Sequence, residues 1–281
     1  MTGRAVWRRA CPAGQALDLL HARVAEPYAP HVHEEYAVGA CTAGREVIRY
    51  RGELHYAGPG SVVVLEPGEA HTGAPADPPD FTYRVMYPAA GQLAEGLLAG
   101  GRLAQGARRL PRFREPVIAD PGLAAELRRL HAALGPGAEP LDAESRLSWL
   151  LGELVRRHAS PSRDLEVRGA GRVARLVMAQ LADRLVSPPA LAEIAAGTGL
   201  SRYQLIRSFR TEVGMPPYAW LAQHRVSAAR ALLERGCRPA EAAALTGFAD
   251  QAHLTRWFRR VVGVTPGVYR NSVQDRTPRY R

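Results

Sequence analysis

The chain has 281 residues, and its hydrophobic share of 46% suits packed cores and excludes a disordered protein. The formal net charge of +10 is concentrated late in the sequence, because residues 1–163 carry 19 arginines against 18 acidic residues whereas residues 164–281 carry 18 against 9. A basic C-terminal segment suits a phosphate-backbone partner, although a module for a membrane surface would show the same balance.

Cysteine usage and hydropathy indicate the compartment. Cys11, Cys41 and Cys237 are far apart and fit no disulfide, metal or redox spacing. The first residues do not form a signal peptide, and no stretch approaches the ~18 apolar residues of a membrane span. We therefore expect a cytoplasmic protein without a membrane partner.

Short β-type segments separated by turn residues occupy the chain from about residue 20 to 90. Glycine and proline corners, such as Gly58-Pro59-Gly60 and Pro67-Gly68, separate them. The predicted strands are residues 36–42, 47–51, 54–57, 61–65 and 81–87. Closely spaced short strands of this kind predict a sandwich or a small barrel.

Two leucine stripes with helical spacing follow residue 120, separated by Gly135-Pro136-Gly137. They consist of Leu123, Leu127, Leu130 and Leu134, and of Leu147, Leu150, Leu151 and Leu154. The resulting helical hairpin could cover an open face of the β domain or pair with its copy in a second subunit, and the two interpretations are compatible. A stretch rich in Pro, Ser, Gly and charge then predicts a linker, giving domains at 1–160 and 172–281 with the linker at 161–171.

The last third of the chain is helical and contains an internal repeat. Residues 191–209, followed by Gly214 and Pro217, are echoed by residues 240–258, followed by Gly263 and Pro266. Each copy predicts a short helix, a glycine turn and a longer helix, which is the helix-turn-helix order. The predicted helices are residues 172–186, 190–198, 202–213, 218–235, 240–246 and 251–262, with a last turn near 266–270. Gly199 and Gly247 supply the turns, and Ser201 and Asp250 stand where N-caps belong.

The longer helix of each copy is expected to expose a polar face. Leu205 and Phe209 point inward in the first copy, as Leu254 and Phe258 do in the second. The outward residues are then Tyr203, Arg207 and Arg210, and Gln251, Thr255, Arg256 and Arg259. Guanidinium and amide groups suit guanine and adenine edges in the major groove. An ordinary solvated helix face is the alternative, which two copies in one basic domain disfavour.

Residues 172–270 resemble the DNA-binding domain of the AraC/XylS family of bacterial regulators. The second unit carries most of the family signature in Gly247-Phe248-Ala249-Asp250-Gln251, Phe258, Gly263-Val264-Thr265-Pro266 and Tyr269-Arg270. The resemblance implies double-stranded DNA and RNA polymerase as partners. The DNA-binding residues that we predict are Arg202, Tyr203, Ile206, Arg207, Arg210, Gln251, Ala252, His253, Thr255 and Arg256. Ile206 and Ala252 depart from the polar residues often found there and offer only apolar contact.

The N-terminal part resembles the cupin-like barrel that serves as the sensor domain of many AraC-family members. The resemblance rests on Pro30-His31-Val32-His33-Glu34-Glu35-Tyr36, Gly60 and Pro67-Gly68-Glu69-Ala70-His71. The predicted effector-binding residues are His31, His33, Tyr36, His71 and Arg84. Strand alternation places Arg84 opposite Tyr83 and Tyr87, so a bulge would be needed to bring all three into one cavity. A buried arginine would indicate a carboxylate or phosphate effector, and a surface arginine beside an aromatic core is the alternative.

Three imidazoles that converge in a barrel would bind a divalent transition metal. Catalytic cupins, however, carry a glutamate shortly after the second histidine, and Ala37 and Val38 occupy those places. We therefore expect no catalytic residue, no metal and no cofactor. The histidines could instead form a polar rim for an organic effector or be purely structural. A metal-dependent cupin enzyme fused to a DNA-binding domain is the alternative function.

The predicted fold class is α+β with two domains: a cupin-like β-barrel with a helical hairpin, then an all-α domain with two helix-turn-helix units. The predicted function is a sequence-specific transcriptional regulator, such as an activator. We expect it to be controlled by a small-molecule effector in the barrel and to form a homodimer.

Overall fold

The computed structural model describes residues 5–12, 16–77, 79–93, 110–134, 140–160 and 171–274. The chain divides into two compact units: the first, called the N-terminal unit, comprises residues 1–28 and 33–165, and the second, called the C-terminal unit, comprises residues 29–32 and 166–281. Residues 161–170 of the predicted linker lie outside the described residues, as does the predicted break at Gly135-Pro136-Gly137. No helix in the described ranges is long and apolar enough to cross a bilayer.

The N-terminal unit is built from β-strands in two larger sheets and one short pair. The six-stranded sheet has the order β1-β2-β9-β4-β7-β11, the four-stranded sheet has the order β3-β8-β5-β6, and β10 pairs with β12. The strands are β1 (Ala5–Ala10), β2 (Leu17–Val24), β3 (Tyr28–His31), β4 (Ala37–Ala43), β5 (Glu46–Tyr50), β6 (Glu53–Ala57), β7 (Ser61–Leu65), β8 (His71–Pro75), β9 (Phe81–Tyr87), β10 (Arg112–Phe113), β11 (Val117–Ala119) and β12 (Ala159–Ser160).

The five predicted strands are present, two of them with the expected bounds, but β1, β2 and the short strands β10, β11 and β12 were not predicted. Six of the eight residues of β2 are buried, so its sequence lacks the alternation that reveals a half-buried strand. The prediction of a sheet-rich, cupin-like domain is confirmed, although the strands form separate sheets and do not close into one barrel.

Two helices cover one face of the six-stranded sheet. They are α1 (Pro121–Ala133) and α2 (Pro140–His158), and Asp120 caps α1 by accepting a hydrogen bond from the Leu123 amide. Both leucine stripes join one core with inward residues of the sheet, among them Leu19, Val64 and Met86. The leucines therefore cover the β domain, as the first interpretation of the hairpin required.

The described part of the C-terminal unit from residue 171 onward is helical. Its helices are α3 (Arg172–Asp183), α4 (Leu191–Thr198), α5 (Arg202–Val213), α6 (Pro217–Glu234), α7 (Pro239–Leu245), α8 (Gln251–Val262) and α9 (Pro266–Gln274). The bounds of α5 and α8 are those predicted. Helix α3 ends three residues earlier than expected, before Ser187-Pro188-Pro189, and α9 extends four residues beyond the expected turn.

Local signals explain why α5 and α8 begin where they do. Ser201 and Gln204 form a reciprocal capping box at the start of α5, and the Asp250 carboxylate accepts from the His253 amide at 2.6 Å. Gly247 has φ +79°, and a Cβ there would collide with the Val186 backbone and the Arg225 guanidinium. Only glycine therefore fits this turn without strain.

Candidate DNA-binding and effector-binding sites

Helix α5 separates an apolar inner face from a polar outer face. Leu205, Phe209 and Val213 are buried, as the spacing predicted. The Tyr203 side chain is 73% exposed. The predicted DNA-binding arginines Arg202, Arg207 and Arg210 are all exposed, and Ile206 is half-buried. The helix thus presents three guanidinium groups and a phenol to solvent.

Helix α8 repeats this arrangement with different outer residues. Leu254, Phe258 and Val262 are buried, while Gln251, Ala252 and Arg256 are exposed. The half-buried Thr255 donates its hydroxyl to the Gln251 carbonyl at 2.8 Å.

His253 has protein partners of its own. Its Nε2 lies 3.2 Å from the Tyr218 hydroxyl, and its ring packs edge-on against Phe248. Tyr218 is 53% exposed and also packs against Trp257. Sequence analysis missed Tyr218, although an exposed aromatic residue in the first turn of α6 is the kind of signal that could have identified it.

Helix α6 connects the two helix-turn-helix units. It has 18 residues, and its buried positions include Leu221, Val226 and Leu233. Arg225 is also buried, where it donates to the carbonyls of Leu185 and Val186. These contacts fix the connecting helix within its unit.

The three predicted histidines lie close together. One ring nitrogen from each of His31, His33 and His71 lies within 4.8 Å of the others. Strand β3 ends at His31, so His33 lies beyond the strand, but the three side chains still converge.

Two of these rings have a defined tautomer. Nδ1 of His31 lies 3.1 Å from the Ala29 carbonyl and Nδ1 of His71 lies 3.1 Å from the Glu69 carbonyl, and a carbonyl can only accept. The proton therefore sits on Nδ1, and Nε2 carries the lone pair. Burial lowers the pKa of His31 to about 4, which keeps this ring neutral at physiological pH.

Tyr36 and Arg84 have other partners than the sequence interpretation expected. The Tyr36 hydroxyl donates to the Pro111 carbonyl at 2.7 Å, and its ring packs edge-on against Phe113 in the helix-covered core. Arg84 lies 3.2 Å from Nδ1 of His131, a residue of α1. Both side chains thus take part in the packing beneath the helices.

His131 explains why Arg84 points this way. Its Nε2 lies 3.0 Å from the Leu20 carbonyl and must donate, so Nδ1 is the acceptor for Arg84. Burial, followed by the charges of Arg8 and Arg84, lowers the pKa of His131 to about 3. The neutral His131 ring therefore accepts a hydrogen bond from the Arg84 guanidinium through Nδ1.

The structure reveals a buried carboxylate that sequence analysis missed. Glu46 is 5% exposed, and the Tyr28 hydroxyl donates to its Oε1 at 2.6 Å. Burial raises the pKa of Glu46 to about 7, against the opposing effect of the Tyr28 hydrogen bond. Glu46 shares strand parity with the buried Ile48 and Tyr50, so an acidic residue at an inward position was the available signal.

Comparisons with known proteins agree with this architecture. Residues 15–151 match the family described as an AraC-like ligand binding domain, and residues 194–272 match a helix-turn-helix domain. The HTH-type transcriptional regulator YbfI of Bacillus subtilis (strain 168), named as uncharacterized, is 27% identical over 231 residues, 82% of each chain. The transcriptional activator NphR of a Rhodococcus species is 28% identical over 250 residues, 84% of this chain and 70% of that one.

A solved structure shows the same overall fold. Apo ToxT K231A from Vibrio cholerae strain SCE256 has a TM-score of 0.55 and 12% sequence identity, and the match covers 98% of both chains. At this identity the likeness concerns the fold alone.

A sheet-rich ligand-binding domain followed by two helix-turn-helix units defines a ligand-responsive transcription regulator. The chain belongs to the AraC family of transcriptional regulators, with an N-terminal ligand-binding domain and a C-terminal DNA-binding domain. The family, the fold class and the function that the sequence predicted are thereby confirmed.

Proposed function

We propose that α5 and α8 bind two adjacent half-sites on one face of duplex DNA. The observation that carries this proposal is the repeated, N-capped helix with an outer face of arginine and other polar side chains. The 18 residues of α6 span about 27 Å at ~1.5 Å per residue. That length suits recognition helices in successive major-groove segments, roughly one helical turn or ~34 Å apart.

The exposed side chains suggest a division of roles. Arg207 and Arg256 carry bidentate donors suited to guanine, and Gln251 suits adenine. Ile206 and Ala252 offer apolar contact to thymine methyl groups, and Tyr203 is exposed one turn before Ile206 on α5. The remaining predicted contacts, to bases or to phosphates, are Arg202, Arg210, His253 and Thr255. In addition to any DNA contact, His253 orients the start of α8, because its amide donates to Asp250 and its Nε2 lies 3.2 Å from the Tyr218 hydroxyl.

We also propose that the regulator is a homodimer that acts in the cytoplasm together with RNA polymerase. Because both leucine stripes are used inside the N-terminal unit, dimerisation needs another surface. Leu141 and Trp149 are 68% and 53% exposed, two turns apart on the outer side of α2. These two residues provide an apolar contact for a second copy.

One selection experiment tests the DNA site and the dimer together. From a pool of random duplexes, the full chain should enrich sites with two conserved blocks roughly 10 base pairs apart. A dimer should enrich two such pairs, and the Leu141→Ser/Trp149→Ser variant should enrich one. Enrichment of a single block would contradict the use of both units, and duplicated pairs retained by the variant would contradict this dimer surface.

We further propose that the cluster of His31, His33 and His71 serves an effector site and is not part of an enzyme. The metal hypothesis has one structural argument in its favour. In His31 and His71, Nδ1–H donates to a backbone carbonyl, so Nε2 carries the lone pair that a metal ion needs. Against it, the positions of the catalytic carboxylate are filled by the buried apolar residues Ala37 and Val38.

Elemental analysis separates the two hypotheses. The purified full chain should hold far less than one metal ion per chain, and His33→Ala should change the response to the effector while leaving effector-free DNA affinity nearly intact. Near-stoichiometric iron, manganese or zinc, lost in His71→Ala but retained in the control His55→Ala, would favour the metalloenzyme. The DNA-binding proposal would survive that outcome because it depends on other residues.

A further inference from the structure

The buried carboxylate of Glu46 lies among aromatic residues inside the N-terminal unit. Glu46 comes from the four-stranded sheet and accepts a hydrogen bond from Tyr28 at Oε1. Among the described residues, no arginine or histidine forms an ion pair with it, and no donor to Oε2 is found. A buried carboxylate is costly unless it is protonated or meets a cation.

Gly73 on β8 makes room for this pair of side chains. A Cβ at Gly73 would collide with both the Tyr28 hydroxyl and Glu46 Oε1. Glycine also weakens a strand interior, so its presence in β8 marks a place where other groups approach the backbone closely. The space in front of this backbone is therefore used by the Glu46 carboxylate and its phenol partner.

Aromatic residues of β9 lie near this pair of side chains. Tyr83 of β9 stacks on Phe81 with ring centroids 5.4 Å apart, and Tyr87 stacks on Trp7 at 5.3 Å. Burial, then Tyr87, then Glu46 raise the pKa of Tyr83 well above its usual value, which places its phenol near both groups. Tyr28 and Tyr83 are half-buried, and Glu46 is 5% exposed.

We propose that Glu46, Tyr28 and Tyr83 bind the ammonium group of an organic amine, which is the class of effector that this regulator senses. This inference depends on the proposed effector site and extends it by naming the ligand chemistry. The ammonium donates to the Glu46 carboxylate, an interaction strengthened by opposite charges and a low local dielectric. The tyrosine rings stabilise the cation through their π faces and contact the apolar body of the amine.

The same residues disfavour the other ligand classes. A carboxylate or phosphate effector would face Glu46 without a cation, because Arg84 is directed to His131 under the helices. A hard metal ion prefers six or more oxygen ligands, and Glu46 is the only carboxylate in this set. An ammonium group needs a negatively charged hydrogen-bond acceptor and neighbouring aromatic rings, which Glu46 and the tyrosines provide.

Amine binding should depend on the ionisation of Glu46. The amine stays protonated below pH 9 while the carboxyl titrates near neutrality, so affinity should rise from about pH 6 to pH 8. The titratable groups that interact with Glu46 are Tyr28 on β3, Cys41 on β4 and Tyr83 on β9. On the same sheet face, β6 and β8 add His55 and His71, which pair with Ile48 and Tyr50, and Tyr87 of β9 lies near Tyr28. Because two of these are histidines, a variant that removes only the Glu46 charge is needed as the control.

The experiment is calorimetric titration of the full chain with 2-phenylethylamine and hexylamine, with 2-phenylethanol and 3-phenylpropanoate as neutral and anionic controls. Both amines should bind at pH 8, and the alcohol and the carboxylate should not. Glu46→Gln should weaken amine binding by roughly 10- to 100-fold and abolish its pH dependence. Tyr28→Phe keeps the ring, removes the donor to Glu46 and should move the pH profile upward.

Several outcomes would overturn the proposal. They are preferential binding of the carboxylate, unchanged amine affinity in folded Glu46→Gln, or no binding of either amine at millimolar concentration. If Glu46→Gln does not fold, an unchanged pH dependence of amine binding in Tyr28→Phe would overturn the proposal instead. None of these outcomes contradicts the DNA-binding function, because DNA binding is measured separately in the absence of an effector. If amines bind without changing DNA affinity, the amine-binding site would be supported, but its role as the effector site would be refuted.

Discussion

Arg256→Ala is expected to weaken binding of the full chain to its selected duplex by about 1–3 kcal/mol, with loss of discrimination at the contacted base pair. Arg256 is exposed on the outer face of α8, one turn from the N-terminal residues Gln251 and Ala252. Its guanidinium can donate two parallel hydrogen bonds to a guanine. Arg207→Ala in α5 should have an effect of the same size at the other half-site, because it occupies the equivalent outer face.

Binding isotherms on the selected duplex and on a random duplex measure this effect. Arg235→Ala is the matched control, since Arg235 is exposed at the end of α6 and away from both recognition helices. It should change affinity for both duplexes little and equally. Equal losses on both duplexes for Arg207→Ala and Arg256→Ala would show that these arginines contact phosphates and do not recognise bases.

Phe258→Ala is expected to lower the free energy of unfolding of the C-terminal unit by about 3–5 kcal/mol. The Phe258 side chain is fully buried, and its ring packs edge-on against Tyr269 with centroids 5.5 Å apart. Tyr269 is itself fully buried and donates its hydroxyl to Glu234 of α6 at 2.8 Å. Truncation therefore leaves a cavity where α8, α9 and α6 meet, and the surrounding helices cannot close it without giving up their own contacts.

Urea denaturation of the full chain, followed by far-ultraviolet circular dichroism, measures this loss. Tyr203→Ala serves as the control, because a side chain that is 73% exposed should change stability by less than about 0.5 kcal/mol while lowering DNA affinity. A change below about 1 kcal/mol for Phe258→Ala would be incompatible with a packed inner face of α8.

The sequence by itself determined the features that depend on nearby residues. The bounds of α5 and α8 follow from apolar spacing, from the caps Ser201 and Asp250, and from the glycine turns at Gly199 and Gly247. Each of these signals acts within about five residues of the helix end that it sets. The helix-turn-helix repeat, the family and the DNA-binding function could therefore be predicted before any tertiary contact was known.

Only the tertiary structure decided which partner each buried side chain meets. The leucine stripes could equally have joined a second subunit, and packing assigned them to the six-stranded sheet. Arg84 and Tyr36 suited an effector cavity by sequence, and only the structure shows that their partners are His131 and the Pro111 carbonyl.

Glu46 is a buried residue whose environment the sequence did not reveal. In sequence it is an acidic residue at the edge of a predicted strand, and its burial depends on Tyr28 and Gly73, which lie 18 and 27 residues away along the chain. The strand pattern can place a side chain on a face of its sheet. Its charge state and its capacity to bind a ligand depend on what that face meets, because desolvation and hydrogen bonding arise from groups brought together only when the sheets pack.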